Sequence, residues 1–392
     1  MSMPCGKIDS LIHLGRLTMA RWTKEKAWDW YNRLSWIRGC NFMGSDCANR
    51  IDQWQEYGFE EKLVTAEKEF ALMESIGYNS IRIIIEYEVW AQQHDGFMER
   101  LDRYLDAADR HGISAMIVLS NECAVRTPTY VPPVFGEQLW ELGYHGGKDF
   151  KTWFAHENNA RYHVLDDPEI APKYYEMVEE LIAKYKDDHR VLVWNLMNEP
   201  GNGRGSKSLP HLKRFFEIGR EIAPIQPLCA DVWRGMKDGK ATSEIEQFAL
   251  EESDVISYHS YASYMDNVLI LKQLKAYDRP IFNTEWLFRP GGNTIKQMLP
   301  LFFLENVACY QWGFVAGKYQ TYEPSQGIWK SYEEKGYEAV RGYDFTKWQH
   351  DLYRPGGRFP YDPAEIEIIK KLGALADEQL RGSAEFHGDD FA

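Results

Sequence analysis

Two carboxylates stand out because each closes an apolar run. Val191-Leu-Val-Trp-Asn-Leu-Met-Asn-Glu-Pro200 reaches Glu199, and Pro280-Ile-Phe-Asn-Thr-Glu-Trp286 reaches Glu285. Short runs of this type suit parallel strands covered on both faces. Acids at two strand ends can face each other across a barrel mouth, and such a pair is the machinery of glycoside hydrolysis. One carboxyl protonates the leaving oxygen, and the other attacks the anomeric carbon or activates water. Arg82 lies inside the apolar run Ser80-Ile-Arg-Ile-Ile-Ile85, where a charge is costly unless it is paired. Each of these residues has a plain structural reading when taken alone. Glu199 before Pro200 suits a helix cap, and Arg82 suits an ion pair with Glu86 or Glu88. Their order along the chain argues for a site.

The elements that must position them alternate. A helical lead-in (residues 1–35) containing Trp22, Trp28 and Trp30 precedes a first strand, Trp36 to Phe42. A helix from Thr65 to Ile76 stops at Gly77 before the strand Ser80–Ile85, and a helix from Leu101 to His111 stops at Gly112 before the strand Ser114–Ser120. Helices over Glu169–Tyr185 and His211–Ile222 lead to the strands ending at Glu199 and Asp231. Strands at Asp254–His259, Pro280–Glu285 and Val307–Phe314 follow, with helices between them, and a last helix spans Pro363–Gly373. Eight strands alternating with helices predict an α/β fold, a single (β/α)8 TIM barrel over residues 1–392. Two long segments break the rhythm, 121–168 after strand three and the aromatic-rich 317–362 after strand eight. Loops of that length usually have a role, and these are expected to wall the active site. The acidic tail, 382–392, is expected to be frayed.

Composition narrows the partners. A chain of 392 residues with a net charge of −14 lacks the basic field that nucleic acid or an acidic membrane surface requires. No stretch approaches the roughly 20 apolar residues of a membrane span. The aromatic content, with 14 Trp and 23 Tyr, suits stacking against sugar rings as well as core packing. Six cysteines form no CxxC pair and read as buried, reduced thiols. Lys7, Asp9, His13 and Arg16 interrupt the first residues, so no signal-peptide core is read there and a cytoplasmic location is expected.

The residues also carry a family resemblance. The chain resembles the clan A retaining glycoside hydrolases, closest in pattern to family 5 (the cellulases, mannanases and β-mannosidases), over nearly its full barrel. In that family a strand-four Asn-Glu supplies the general acid/base, which matches Asn198 and Glu199, and a strand-seven Glu is the nucleophile, which matches Glu285. The strand-two Arg matches Arg82, the strand-six His-x-Tyr matches His259 and Tyr261, and the strand-eight Trp matches Trp312. The resemblance implies a retaining double displacement with no cofactor and no metal. On that reading Arg82 and Tyr261 keep Glu285 ionised, while burial and the charge of Glu285 raise the pKa of Glu199. Asn198 would bond the sugar 2-hydroxyl, and Trp312 would floor the ring. One departure is clear: the family usually has a His after strand three, where this chain has Ser120, Asn121 and Glu122. Asn121, Glu122, Asp231 and Trp233 fall at strand ends as candidate substrate contacts. His145, His156 and His163 have no metal-ligand spacing and read as loop histidines.

Two rivals fit less well. A metal-dependent barrel hydrolase would usually carry His-x-His near strand one, and Arg38-Gly-Cys-Asn-Phe42 does not. A non-catalytic sugar-binding barrel would tolerate loss of either Glu, yet both are present. Within the enzyme class, long aromatic loops suit an exo-acting enzyme on oligosaccharides, with β-mannosides first. An endo-β-1,4-glycanase (mannanase, glucanase or xylanase) is the alternative. A homo-oligomer whose neighbouring loop completes the pocket would have the same sequence pattern.

Overall fold

The structure, a computed structural model, describes residues 20–123, 133–147 and 163–386, the last six of these by backbone alone. The apolar runs form β1 (Arg38–Asn41), β2 (Ser80–Ile84), β3 (Ser114–Val118), β4 (Val191–Asn195), β5 (Leu228–Cys229), β6 (Asp231–Val232), β7 (Ile256–His259), β8 (Ile281–Trp286) and β9 (Ala308–Trp312). Their order is β5-β4-β3-β2-β1-β9-β8-β7-β6, parallel throughout. The fifth expected strand is therefore two pieces. Cys229 pairs with Asn195 on β4, whereas Asp231 pairs with Ser257 on β7. The segment is too short to pair along its whole length with both neighbours, so each half serves one. Chain continuity through Ala230 then joins the two ends of the sheet into a (β/α)8 barrel.

Helices coat the outside: Phe59–Ser75, His94–Asp109, Ala171–Tyr185, Leu209–Ile222, Glu244–Glu252, Tyr264–Leu274, Ile295–Leu304 and Pro363–Phe386. Leu209–Ile222 shows why they lie there. Leu212, Phe215, Phe216 and Gly219 recur at helical spacing and are buried. A Cβ on Gly219 would meet the Leu228 side chain at 2.5 Å, so glycine permits the close helix–strand approach. Gly77 and Gly112 adopt the left-handed conformation expected of helix C-caps, with φ of 83° and 67°. Two boundaries differ from expectation. The second helix begins at Phe59, with Glu60 and Glu61 favouring its first turn, and the last helix continues to Phe386. Residues 382–386 of the expected tail are thus helical, while 387–392 lie outside the described residues.

The lead-in contains the helix Lys24–Tyr31, which closes the N-terminal end of the barrel. Trp30 stacks on Phe282 at 6.3 Å, and Tyr31 packs edge-on to the same ring at 5.7 Å. Tyr31, Ile37, Met116, Val193, Cys229, Phe282 and Tyr310 fill the interior there. Each such fully buried apolar side chain contributes roughly 1.5–3 kcal/mol. The barrel is consequently plugged below, and its polar residues gather at the C-terminal mouth.

Above that mouth the two long segments meet. Gly146 N donates to Tyr319 O at 3.0 Å, and Gln320 Nε2 donates to Glu141 O at 2.6 Å. Gly143 N donates to Gln320 Oε1 at 3.0 Å, and Gln326 Nε2 to Tyr144 O at 2.8 Å. Residues 124–132 and 148–162 of the first segment, His156 among them, lie outside the described residues.

Candidate active site

A buried arginine organises the mouth. Arg82 on β2 donates through Nη1 to Asn41 Oδ1 at 2.7 Å and Glu285 Oε1 at 3.2 Å. Its Nη2 donates to Asn198 Oδ1 at 2.6 Å and Asp231 Oδ2 at 2.9 Å. Four other strands or strand ends therefore converge on one guanidinium. Neither Glu86 nor Glu88 is among these partners, so the purely local ion pair is not what buries this charge. Asp231 is itself fully buried and accepts from Asn195 Nδ2 at 2.7 Å as well as from Ser257. Burial would raise its carboxyl, but Arg82, His259 and Ser257 together hold it well below the usual range.

The two catalytic candidates sit directly above. Glu199 follows β4 in a left-handed conformation (φ 46°), at a cost of about 1–2 kcal/mol for a residue with a Cβ. The parallel bridge Asn121–Asn198 and the bond from Asn198 N to Ser120 O (2.8 Å) hold this turn. Glu285 occupies β8 and accepts from Tyr261 Oη at 2.9 Å. One carboxylate oxygen from each Glu and a ring nitrogen of His259 all lie within 4.8 Å of one another. So close an approach of one oxygen from each acid suits a retaining pair, whereas inverting enzymes leave roughly 6.5–9.5 Å between the groups for a water.

His259 decides where the charge resides. Its Nδ1 lies 3.0 Å from Glu199 Oε1 and 3.6 Å from Glu285 Oε2, and its Nε2 is 3.3 Å from Asp231 Oδ2. Burial alone would deprotonate the ring, but the charges of Glu285 and Asp231 carry its pKa up to about 10. The expected order of the two glutamates is reversed as a result. Burial raises Glu199, yet His259, Cys123 and Asn202 outweigh it and hold this carboxyl below its usual value. Burial and the charge of Glu199 raise Glu285 by more than His259, Arg82 and Tyr261 lower it. The sequence expectation counted Arg82, 3.2 Å from Glu285, and omitted the imidazolium 3.0 Å from Glu199. Glu199, His259 and Glu285 also have metal-ligand chemistry, but a cation there would have to displace the imidazolium proton and sit beside Arg82.

Glu199 and Glu285 open into a cavity of about 340 Å³, with Asn121, Cys123, Tyr144, His145, Asn198, Tyr261, Trp312 and His350 among its lining residues. Trp312 and Tyr261 thus face the space where a sugar would lie. Arg82 and His259 stand behind the carboxylates. Three expected contacts are elsewhere. Glu122 is buried against Arg204 Nε at 2.9 Å and Ser208 Oγ at 2.6 Å, because alternation along the segment turns it away from Asn121. Trp233 is turned to the Pro200 carbonyl, 3.0 Å from its indole nitrogen, and packs under Arg234. Asp231 braces Arg82 from beneath instead of meeting substrate. Sequence reasoning missed Asn41, Cys123, Asn202, Tyr144 and His350. It read His145 as an ordinary loop residue, whereas the ring lines the cavity between Tyr144 and Tyr319, at 3.9 and 4.6 Å. Only Asn41, at the end of β1, had a strand-end signal. His163 is a satisfied core group, with Nε2 3.1 Å from Asn121 O.

Comparison with known proteins bears on this geometry. The cellulase family (glycosyl hydrolase family 5) matches residues 39–286, from β1 through the end of β8. No curated protein matches by sequence. Among solved structures, the exo-β-1,4-mannosidase Op5Man5 from Opitutaceae bacterium strain TAV5 superposes with a TM-score of 0.53 at 14% identity, over 88% of this chain but 60% of that one. The endo-β-1,4-mannanase from Thermotoga petrophila gives 0.52 at 16% identity, over 92% and 78%. A family 5 mannosidase from Rhizomucor miehei, solved as a point mutant with mannosyl-fructose, gives 0.52 at 15% identity, over 90% and 95%. At these identities the structural likeness is one of fold.

Proposed function

The chain belongs to glycosyl hydrolase family 5 and is a retaining glycoside hydrolase, and from that premise we propose that it removes terminal sugars from β-linked oligosaccharides, β-mannosides first. The observation that carries the catalytic assignment is the cluster of Glu199, His259 and Glu285 within 4.8 Å, with Tyr261 and Arg82 bound to Glu285 alone of the two acids. Glu285 is the nucleophile. Its Oε1 and Oε2 are each held by a donor, which aims the carboxylate and stabilises the ionised form that attacks the anomeric carbon. Glu199 is the acid/base. The proton resting on His259 is one hydrogen bond from Glu199 Oε1 and passes to the leaving oxygen through it.

Once the glycosyl-enzyme ester has formed, the charge of Glu285 is gone. Glu199 then takes a proton from water, which attacks the anomeric carbon from the leaving-group side, and Glu285 departs as the carboxylate. Asn198 accepts from Arg82 and donates to Asn121 Oδ1 at 2.8 Å and, over a longer 3.6 Å, to Cys123 Sγ, and this weaker second donation is the one a sugar 2-hydroxyl would take over. Trp312 offers its face to the ring. Exo action is supported by the bonds that tie residues 141–146 to 319–326 over the cavity, which suit a closed pocket better than an open groove. The preference for mannosides is supported by two mannosidases and a mannanase among the proteins of like fold.

Hydrolysis of aryl β-mannoside, glucoside, xyloside and galactoside, with Glu199→Ala and Glu285→Ala alongside, tests this. One glycoside should be cleaved, with a loss of about 10²–10⁴-fold in Glu199→Ala. Azide should rescue Glu285→Ala by forming a glycosyl azide of inverted configuration. Internal cutting of oligosaccharides with no aryl glycoside turnover would favour the endo reading, and activity that survives either substitution would overturn the assignment.

A further inference from the structure

The loop after β3 brings a thiol to the acid/base. Cys123 Sγ lies 2.8 Å from Glu199 Oε2, and Asn202 Nδ2 donates to the same oxygen at 2.5 Å. The two donors also touch each other, with Asn202 Nδ2 3.1 Å from Sγ. Nothing in the catalytic roles above uses this group. The loop that carries it is built firmly. Cys123 N donates to Asn121 Oδ1 at 3.1 Å, Glu122 N donates to Asn198 O at 3.1 Å, and the buried Glu122–Arg204 pair anchors the residue between them. This is the stretch where the family resemblance leads to an expected histidine, and Cys123 is the side chain that reaches the carboxylate there.

Burial and the neighbouring Glu199 charge push the thiol well above its usual pKa, so the sulfur keeps its proton and acts as a donor. The two glutamate oxygens are then inequivalent. Oε2 faces Asn202, a donor that cannot yield a proton, and a thiol that holds its own. Oε1 faces His259, whose Nδ1 is 3.0 Å away. Resting on the acid/base assignment of Glu199, we propose that Cys123 is a positioning residue for that acid: its S–H bond pins Oε2, so that the proton given to the glycosidic oxygen travels on Oε1. In the glycosylation step the His259 Nδ1–H bond breaks and its proton passes through Oε1 to the leaving oxygen, which gains the new O–H bond. The bond from Glu285 to the anomeric carbon forms as the glycosidic bond breaks, and the sulfur exchanges nothing.

The test uses Cys123→Ala and Cys123→Ser in the wild-type and Glu199→Ala backgrounds, with kcat/KM measured against pH. The substrates are the phenyl and 2,4-dinitrophenyl β-glycosides of the sugar turned over in the panel above. Cys123→Ala should lower kcat/KM for the phenyl glycoside by about tenfold, the scale of a lost hydrogen bond to a charged group. It should also move the pH limb belonging to Glu199 upward, because a donor to the ionised form has gone. Cys123→Ser, which keeps a hydroxyl donor, should recover most of the loss. With Glu199→Ala, the dinitrophenyl glycoside needs no acid, and adding Cys123→Ala should change its rate by less than about twofold, the signature of action through Glu199. A loss of equal size in both backgrounds, or Cys123→Ala indistinguishable from wild type, would overturn the proposal. Undiminished phenyl glycoside cleavage by Glu199→Ala would instead remove the acid/base assignment on which it rests.

Discussion

His259 Nδ1 lies 3.0 Å from Glu199 Oε1, in surroundings that favour the protonated imidazole. The ring is buried among three carboxylates, Glu199, Asp231 and Glu285, so its proton affinity rises from the ordinary 6.5 to about 10. A group that binds its proton more tightly when folded stabilises the fold fully below its unfolded pKa and loses that contribution as pH rises through the folded value. The window is therefore about pH 6.5 to 10. His259→Asn should melt well below wild type at pH 6, with the gap between the two narrowing toward pH 10. A gap that stayed constant across the range would show the ring to be neutral. Activity should decline over the basic part of the same window, since Glu199 then loses its proton source.

Arg82 is expected to be the costliest single residue of the mouth. Its side chain has no solvent exposure and carries the charge that compensates Asp231 and Glu285. Removing one partner of a buried ion pair typically costs about 3–5 kcal/mol, because the other charge is left uncompensated. Arg82→Ala should show a loss of that size in urea unfolding, and Arg82→Lys should recover little, since an ammonium cannot reproduce the fork that meets Asn41, Asn198, Asp231 and Glu285. A change below about 1 kcal/mol would mean that the polar layer tolerates the vacancy.

Tyr261 donates to Glu285 Oε2 at 2.9 Å and favours its ionised form. Burial and Glu199 already raise the Glu285 carboxyl, so the acidic limb of the pH–rate profile should lie above the usual carboxylate range in the wild type. Tyr261→Phe should move that limb further up and lower kcat by about tenfold. A tenfold fall without any movement of the limb would assign Tyr261 to substrate contact alone.

Gln320 is the pin between the two long loops. Its amide donates to Glu141 O at 2.6 Å and accepts from Gly143 N at 3.0 Å. Gln320→Ala removes both bonds, each worth roughly 1 kcal/mol. The KM for a monosaccharide aryl glycoside should rise by about tenfold, while cleavage of longer oligosaccharides should gain relative to it. Equal effects on short and long substrates would argue against these loops closing one end of the cavity.

Glu199 and Glu285 were legible as acids closing apolar runs, where a parallel barrel exposes its functional groups, and Arg82 as a charge inside one, whereas His259, Tyr261 and Trp312 were picked out by the family resemblance. Glu122 and Trp233 carried the same positional signal and were misread. Pattern places a residue at a strand end but does not say which way a turn then points it. Glu122 belongs to an ion pair with Arg204 behind the loop, a partner far along the chain that no local spacing announces. Cys123, Asn202 and His350 reach the cavity from loops, whose paths follow from tertiary packing and not from periodicity.

Strand and helix alternation, the strand-end acids and a costly arginine in an apolar run were sufficient to predict a (β/α)8 barrel and the chemistry of a paired-carboxylate site. Those features are local, since they rest on periodicity and on the cost of burying a charge. The tertiary structure alone decided the electrostatics. Whether Glu199 or Glu285 has the higher proton affinity depends on ångström-scale differences, 3.0 against 3.6 Å from one imidazole nitrogen, between groups contributed by β7, β8 and the turn after β4. Coulomb interaction in a buried site varies steeply over such distances, and a linear sequence does not contain them.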